Sequence, residues 1–152
     1  ALQKDQTILT NEIYCYFTHS ILLNQDNGAN HLMIGNFYVK NMTNKTRHEP
    51  IILIKIEADK HFHFSGTFKT DKQLSQGFKF PWERLSMKEL DPQTHYCFQP
   101  LENKTLGPEE QLVFQNFRIQ FPTGTDIRIE GFTYFDQSND GTPALNAIHI
   151  NG

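Results

Sequence analysis

Leu112-Val-Phe-Gln-Asn-Phe-Arg-Ile-Gln-Phe121 decides how this chain is read. Its large apolar side chains fall at Leu112 and Phe114, then at Phe117, Ile119 and Phe121, so a period-two alternation slips by one residue at Gln115-Asn116. Successive side chains on a strand point to opposite faces, and such a slip marks a β-bulge or a strand bending from one sheet toward another. Leu32 and Ile34, followed by Phe37 and Val39, show the same change of parity. Corners of this kind belong to twisted sandwiches and barrels. The expected class is all-β.

A chain of 152 residues suits one domain with a core large enough to need no covalent staples. Thirteen Phe residues and an aromatic share of 12% favour strands. A net charge of −3, with no run of Lys or Arg, lacks the basic stripe of a nucleic-acid binder. No apolar stretch approaches the roughly 18 residues that a membrane-spanning helix requires, so a soluble chain is expected. The start Ala1-Leu-Gln-Lys-Asp-Gln6 has no apolar signal-peptide core. A chain that opens on Ala1 without Met is expected to be a trimmed piece or a mature form whose leader or anchor has been removed, or one that has lost Met alone.

Residues 13–23 read as a first strand with Ile13, Cys15, Phe17, Ile21 and Leu23 on one parity. A turn centred on Asn27-Gly28 leads to a second strand over 31–41. Ile51-Ile-Leu-Ile-Lys-Ile56 is apolar on both faces, as expected of a central strand covered on two sides. His61-Phe-His-Phe64 alternates, as do Phe78 and Phe80. Residues 81–90 are expected to form one short helix, with Pro81 in its first turn and Asp91-Pro92 as its stop. Residues 96–98 are expected to pair at an edge, and 112–121, 127–135 and 144–150 to supply three closing strands. Residues 1–10 form an N-terminal arm, and 11–152 a single domain.

Phe37-Tyr-Val-Lys-Asn-Met-Thr-Asn-Lys-Thr46, followed by Pro50-Ile-Ile-Leu-Ile54, resembles the strand, Asn-rich turn, strand unit of bacterial immunoglobulin-like cell-surface domains. Lys104-Thr-Leu-Gly-Pro-Glu-Glu-Gln-Leu-Val-Phe114 is similar to a segment that enters a later strand of those domains, with Gly107 and Pro108 in the opposite order. The resemblance spans about thirty residues of turn chemistry and transfers no functional residue. It implies a surface-exposed module that is adhesive, structural or ligand-presenting. With it, the expected fold is an antiparallel β-sandwich of immunoglobulin-like or jelly-roll topology with seven to nine strands.

His61 and His63 are the sharpest metal-like pattern, because residues two apart on a strand project from one face and can ligate a divalent cation together. The simpler reading is a polar face opposite Phe62 and Phe64. His19, His31, His48, His95 and His149 are further candidate ligands. The carboxylates Asp126, Glu130, Asp136, Glu109, Glu110, Glu57 and Asp59 sit where solvated strand ends are expected, and no catalytic residue is assigned. No nucleophile elbow, phosphate loop or dinucleotide pattern occurs, and no cofactor is expected.

Tyr14, Tyr16 and Trp82 are candidate ligand-binding residues for a sugar or peptide if exposed; with both faces of their sheet covered they would belong to the core. Cys15 and Cys97 read as small buried hydrophobes, or as one disulfide implying an oxidising compartment. Asn41, Asn44 and Asn103 begin Asn-x-Thr sequons in turns, which predicts exposure.

The expected function is a non-enzymatic extracytoplasmic module, extracellular or at the cell surface, acting as a structural, adhesive or protein-binding part of a larger assembly. Its expected partner is a protein, or a second copy added through an edge strand. The rivals are a jelly-roll metal-dependent enzyme using His61 and His63, and a carbohydrate-binding module using exposed Tyr or Trp82.

Overall fold

The computed structural model describes residues 12–24, 30–69, 81–102 and 104–151, and the regular structure among them is extended chain without a helix. The expected arm at 1–10, the Asn27-Gly28 turn, Phe78 and Phe80 lie outside the described residues. In chain order the strands are β1 (Ile13–Leu22), β2 (Asn30–Asn41), β3 (Arg47–His48), β4 (Ile51–Ala58), β5 (His63–Ser65), β6 (Phe68–Lys69) and β7 (Trp82–Leu85). They continue as β8 (His95–Pro100), β9 (Thr105–Leu106), β10 (Gln111–Pro122), β11 (Asp126–Tyr134), β12 (Thr142–Pro143) and β13 (Ile148–Asn151).

Among the described residues, one sheet runs β1-β2-β10-β5 and a seven-stranded sheet runs β12-β11-β4-β8-β7-β6, with β13 beside β12 on β11. A small pair, β3-β9, stands apart. Pairing is antiparallel except between β6 and β7. The sheets pack as a sandwich whose interior joins Ile52, Ile54, Ile56, Ile127, Ile129 and Phe98 to Cys15, Phe17, Met33, Phe37, Phe114, Phe117, Ile119 and Phe121. Burying each such Phe or Ile side chain contributes about 1.5–3 kcal/mol. Phe114 stacks on Phe98 at 4.3 Å between ring centroids, and Phe64 on Tyr96 at the same distance.

The slip in β10 is a bulge. Its register against β2 shifts between Phe114 and Phe117, so both rings point inward with two residues between them. Asn116 takes the left-handed conformation, φ 58°, which Asn tolerates better than most residues. Its N–H, turned out of the ladder, donates to Asn36 Oδ1 at 2.9 Å.

The expected second slip, in β2, does not occur. His31, Met33, Gly35, Phe37, Val39 and Asn41 all face inward, and Leu32 and Ile34 lie half-buried on the outer face. Gly35 holds the inward place an apolar residue would normally take, because the ring of Phe117 occupies it: a Cβ there would fall 2.4 Å from Cζ.

Residues 81–90 are likewise not a helix. Trp82–Leu85 pairs antiparallel with β8, Trp82 opposite Pro100 and Leu85 opposite Cys97, and a turn closes with Leu90 N–H donating to the Met87 carbonyl. A ten-residue segment is too short to hold a helix by propensity alone, and the open edge of β8 offers strand hydrogen bonds instead. As a result 96–98 lies inside the sheet between β4 and β7, not at an edge. Of the strand expected over 144–150, only Ile148–Asn151 forms; 144–146 runs along β1, with Leu145 N–H donating to the Cys15 carbonyl.

Asn41 pins one end of the sandwich. It is fully buried, and its Nδ2 donates to the carbonyls of Lys45 (2.8 Å) and Leu106 (2.9 Å). Its Oδ1 accepts from the N–H and hydroxyl of Thr43, while its backbone bonds Glu109 and Glu110 in the turn before β10.

Candidate interaction surface

One face of the seven-stranded sheet covers the core; on the other, Leu53 and Cys97 are buried while Lys55, Glu57, Arg128 and Glu130 reach solvent, and register decides which side chains share a row there. Across β4 and β11 the outer pairs are Ile51 with Tyr134, Leu53 with Phe132, Lys55 with Glu130 and Glu57 with Arg128. Leu53 also lies opposite Cys97, Cys97 opposite Leu85, and Phe132 opposite Pro143. Leu85, Cys97, Leu53, Phe132 and Pro143 therefore form one unbroken apolar row across five strands, about 19 Å long.

Leu53 and Cys97, only 9% and 4% exposed, are absent from the interior cluster. Leu85 and Phe132 are half-buried, and Pro143 is exposed. The Ile51 to Ile56 run, expected to be a central strand covered on both faces, lies between β11 and β8 and is buried at Ile52, Leu53 and Ile54 in succession, with Ile51 and Lys55 half-buried on the outer face.

Beyond the row lie charges of both signs. Lys55 Nζ is 3.1 Å from Glu57 Oε1, and Arg128 Nε is 3.9 Å from Glu130 Oε1. Such exposed pairs each contribute at most about 1 kcal/mol to stability. An apolar centre bordered by polar groups is the anatomy of a protein interface.

A second polar group lies where β3 meets the turn after β11. Arg47 Nε donates to Asp136 Oδ2 at 2.9 Å, His48 N–H to Oδ1 at 3.0 Å, and Gln137 Nε2 to Glu49 Oε2 at 2.7 Å. The Arg47 guanidinium lies 5.2 Å from the Phe135 ring centroid. The hydrogen bond from Arg47 is the main cause holding the Asp136 carboxyl below its usual pKa, and the His48 N–H adds to it. Glu49, Asp136 and Gln137 all have positive φ. An open cleft of about 400 Å³ here is lined by Thr43, Asn44, Lys45, Arg47 and Asp136. Arg47 and Asp136 act as a latch between β3 and the turn after β11.

His61 precedes β5 and His63 lies on it opposite Gln120; both are exposed, while Phe62 and Phe64 pack on the interior. Among the described residues no three His, Cys, Asp or Glu side chains gather as metal ligands would. His31 has a structural role: Nδ1 accepts from Asn24 N–H at 3.0 Å, Nε2 meets Thr123 Oγ1 at 3.2 Å, and the ring packs edge-on to Phe121. His149 Nε2 and Asp126 Oδ1 pair at 2.7 Å on the surface.

Tyr14 and Tyr16 lie half-buried on the outer face of the four-stranded sheet, opposite Lys40 and Tyr38. Tyr16 stacks on Tyr38 at 5.0 Å and 12°, which engages one face of each ring. Trp82 is no surface platform. It is 4% exposed and sits edge-on against Phe114, an inward position that follows from its place on β7.

Both cysteines are free and buried. Cys15 faces the interior from the four-stranded sheet and donates its S–H to the Thr142 carbonyl, whereas Cys97 lies on the outer face of the other sheet; no disulfide joins them. Burial pushes the Cys15 thiol up to about 12 and the Cys97 thiol to about 11. Of the sequons, Asn41 is buried against expectation, Asn44 is exposed, and Asn103 lies outside the described residues.

The edge of β1 is partly occupied. Asn146 imitates a strand: its Oδ1 accepts from Phe17 N–H at 2.8 Å and its Nδ2 donates to the Phe17 carbonyl at 2.9 Å.

No protein-family model matches the chain, and no curated protein matches it. Among solved structures, an inactive mutant of a GH20 exo-β-N-acetylglucosaminidase from Vibrio harveyi aligns over 89% of this chain and 17% of its own length, at 9% identity and a TM-score of 0.30. The chain thus spans less than a fifth of that enzyme, and the likeness carries no functional reading.

Proposed function

We propose that this domain is a non-enzymatic extracytoplasmic module working through its surface, as a structural or protein-binding part of a larger assembly. The observation that carries the proposal is the apolar row Leu85, Cys97, Leu53, Phe132 and Pro143 on the outer face of the seven-stranded sheet. It lies across five paired strands with charges of both signs in the rows beside it, Lys55 with Glu130 and Glu57 with Arg128, an arrangement that buries apolar area while fixing orientation. Strand addition at β1 is a less favourable route, because Leu145 and Asn146 already hold the backbone of Cys15 and Phe17.

The test is a photo-crosslinking residue placed at Phe132 and, as a control, at Ile34 on the outer face of the opposite sheet, in the chain expressed in its own host. Adducts from position 132 and none from 34 are expected. No adduct from 132, or equal yields from both, would overturn the proposal.

A further inference from the structure

The outer face of the seven-stranded sheet is complementary to itself. Its four rows across β4 and β11 are Ile51 with Tyr134, Leu53 with Phe132, Lys55 with Glu130, and Glu57 with Arg128. Every row joins either two apolar side chains or two opposite charges. A two-fold axis lying in the plane of contact, parallel to the strands and midway between β4 and β11, carries each β4 residue onto the β11 residue of its own row in a second copy. Ile51 then meets Tyr134, Leu53 meets Phe132, Lys55 meets Glu130 and Glu57 meets Arg128, each contact made twice. One row's charge order is the reverse of the next, so a slip of one row along the strands would set Lys55 against Arg128 and Glu57 against Glu130.

We infer that the occupant of this face is a second copy of the same chain, docked sheet against sheet about that axis. The inference rests on the reading of the face as a contact surface and names the partner. Two sheets packed face to face lie about 10 Å apart with strands within about 30° of parallel, a gap that Lys, Arg and Glu side chains bridge. The contact is isologous and closes at two subunits, leaving no open end for further growth. Each charge already has a neighbour on its own strand, Lys55 beside Glu57 and Arg128 beside Glu130, so association would gather these pairs into one eight-charge network over the two copies.

From Ile51 to Glu57 the rows extend about 20 Å, and the apolar row about 19 Å. That footprint is small among specific interfaces, so the dimer is expected to be weak and readily reversible.

Sedimentation equilibrium of the full chain from about 1 to 300 µM tests the inference, with Lys55→Glu and Glu130→Lys made as separate variants. Each variant alone sets like charges against each other across the axis, and within its own sheet. Mixing the two restores opposite charges only between molecules. The expected result is a concentration-dependent dimer for the unmodified chain, at least tenfold weaker association for either variant alone, and recovery in the equimolar mixture. Circular dichroism and thermal melting confirm that both variants fold.

A chain that stays monomeric up to 300 µM, variants that still dimerise, or a mixture that fails to recover would each overturn the inference. Adducts from position 132 at a mass other than twice the chain's would overturn it too, while leaving the wider proposal standing; absence of any adduct defeats both.

Discussion

Gly35 and Phe117 are matched across the β2–β10 ladder: the ring of Phe117 fills the space where a side chain at 35 would begin, 2.4 Å from a Cβ built there. Because the core is close-packed, neither partner can enlarge without moving the other. Gly35→Ala is expected to destabilise the domain by about 2 kcal/mol through overpacking, read as a lower urea midpoint at unchanged slope. Adding Phe117→Leu to that variant should recover part of the loss. Additive losses would show that the two positions are not coupled.

The bulge makes a separate demand on Asn116. Its φ of 58° costs a β-branched residue more than it costs Asn, so Asn116→Val is expected to lose about 1–2 kcal/mol and Asn116→Gly to stay near neutral. Thermal melting distinguishes them. Equal melting temperatures for the Val and Gly variants would mean that the left-handed turn is absent.

Asn41 is the most heavily engaged polar side chain described, and Asn41→Ala leaves the Lys45 and Leu106 carbonyls without its amide. A loss of about 2–3 kcal/mol is expected in chemical denaturation. A change under about 0.5 kcal/mol would contradict its role as the pin between β2 and the turn before β10.

Acid should weaken the Arg47–Asp136 latch in a defined direction. The folded Asp136 carboxyl titrates below its usual 3.8, so its contribution is present above that value and is lost as pH falls through the lowered folded pKa. The pair is partly exposed, and the effect on stability is correspondingly small. Carboxyl NMR titration should place the Asp136 midpoint below 3.8, and Arg47→Ala should move it upward. An unchanged midpoint in that variant would remove Arg47 as the cause.

Both thiols should be inert in the folded protein. With Cys15 and Cys97 buried and pushed to about 12 and about 11, a disulfide-exchange reagent at pH 8 should label neither until denaturant is added, and then both. Rapid labelling before unfolding would contradict their burial.

What was legible in the sequence was set by local alternation. The phase slip at Gln115-Asn116 showed through because the residues on both sides of it are large and apolar, and the all-β class followed. The slip inferred in β2 was wrong because the inward residue at 35 is glycine, whose apolar neighbour comes from β10, a partner no local pattern reveals. Residues 81–90 carried a proline start and a proline stop, but tertiary pairing with β8 overrode them. Exposure of Asn41 was misjudged because turn composition does not report where an amide's hydrogen bonds go.

The candidate surface was less visible. Leu53 reads only as part of a run apolar on both faces, Leu85 falls in the segment expected to be helical, Cys97 stands twelve residues beyond Leu85, and Phe132 is dozens of residues from all three. Only strand register puts these four in one row. Trp82 was readable as a ligand platform until β7 fixed its direction, whereas His61 and His63 are exposed with Phe62 and Phe64 turned inward, as the alternation implied.

The proposed function requires the outer face of the seven-stranded sheet to be covered when the domain works. Carboxyl footprinting measures this directly, by comparing modification of Glu57 and Glu130 in the host assembly and in the isolated chain at low concentration, with Glu109 as the reference away from that face. At least fivefold protection of Glu57 and Glu130 in the assembly, with Glu109 unchanged, is the expected result; equal labelling in both states would contradict the account.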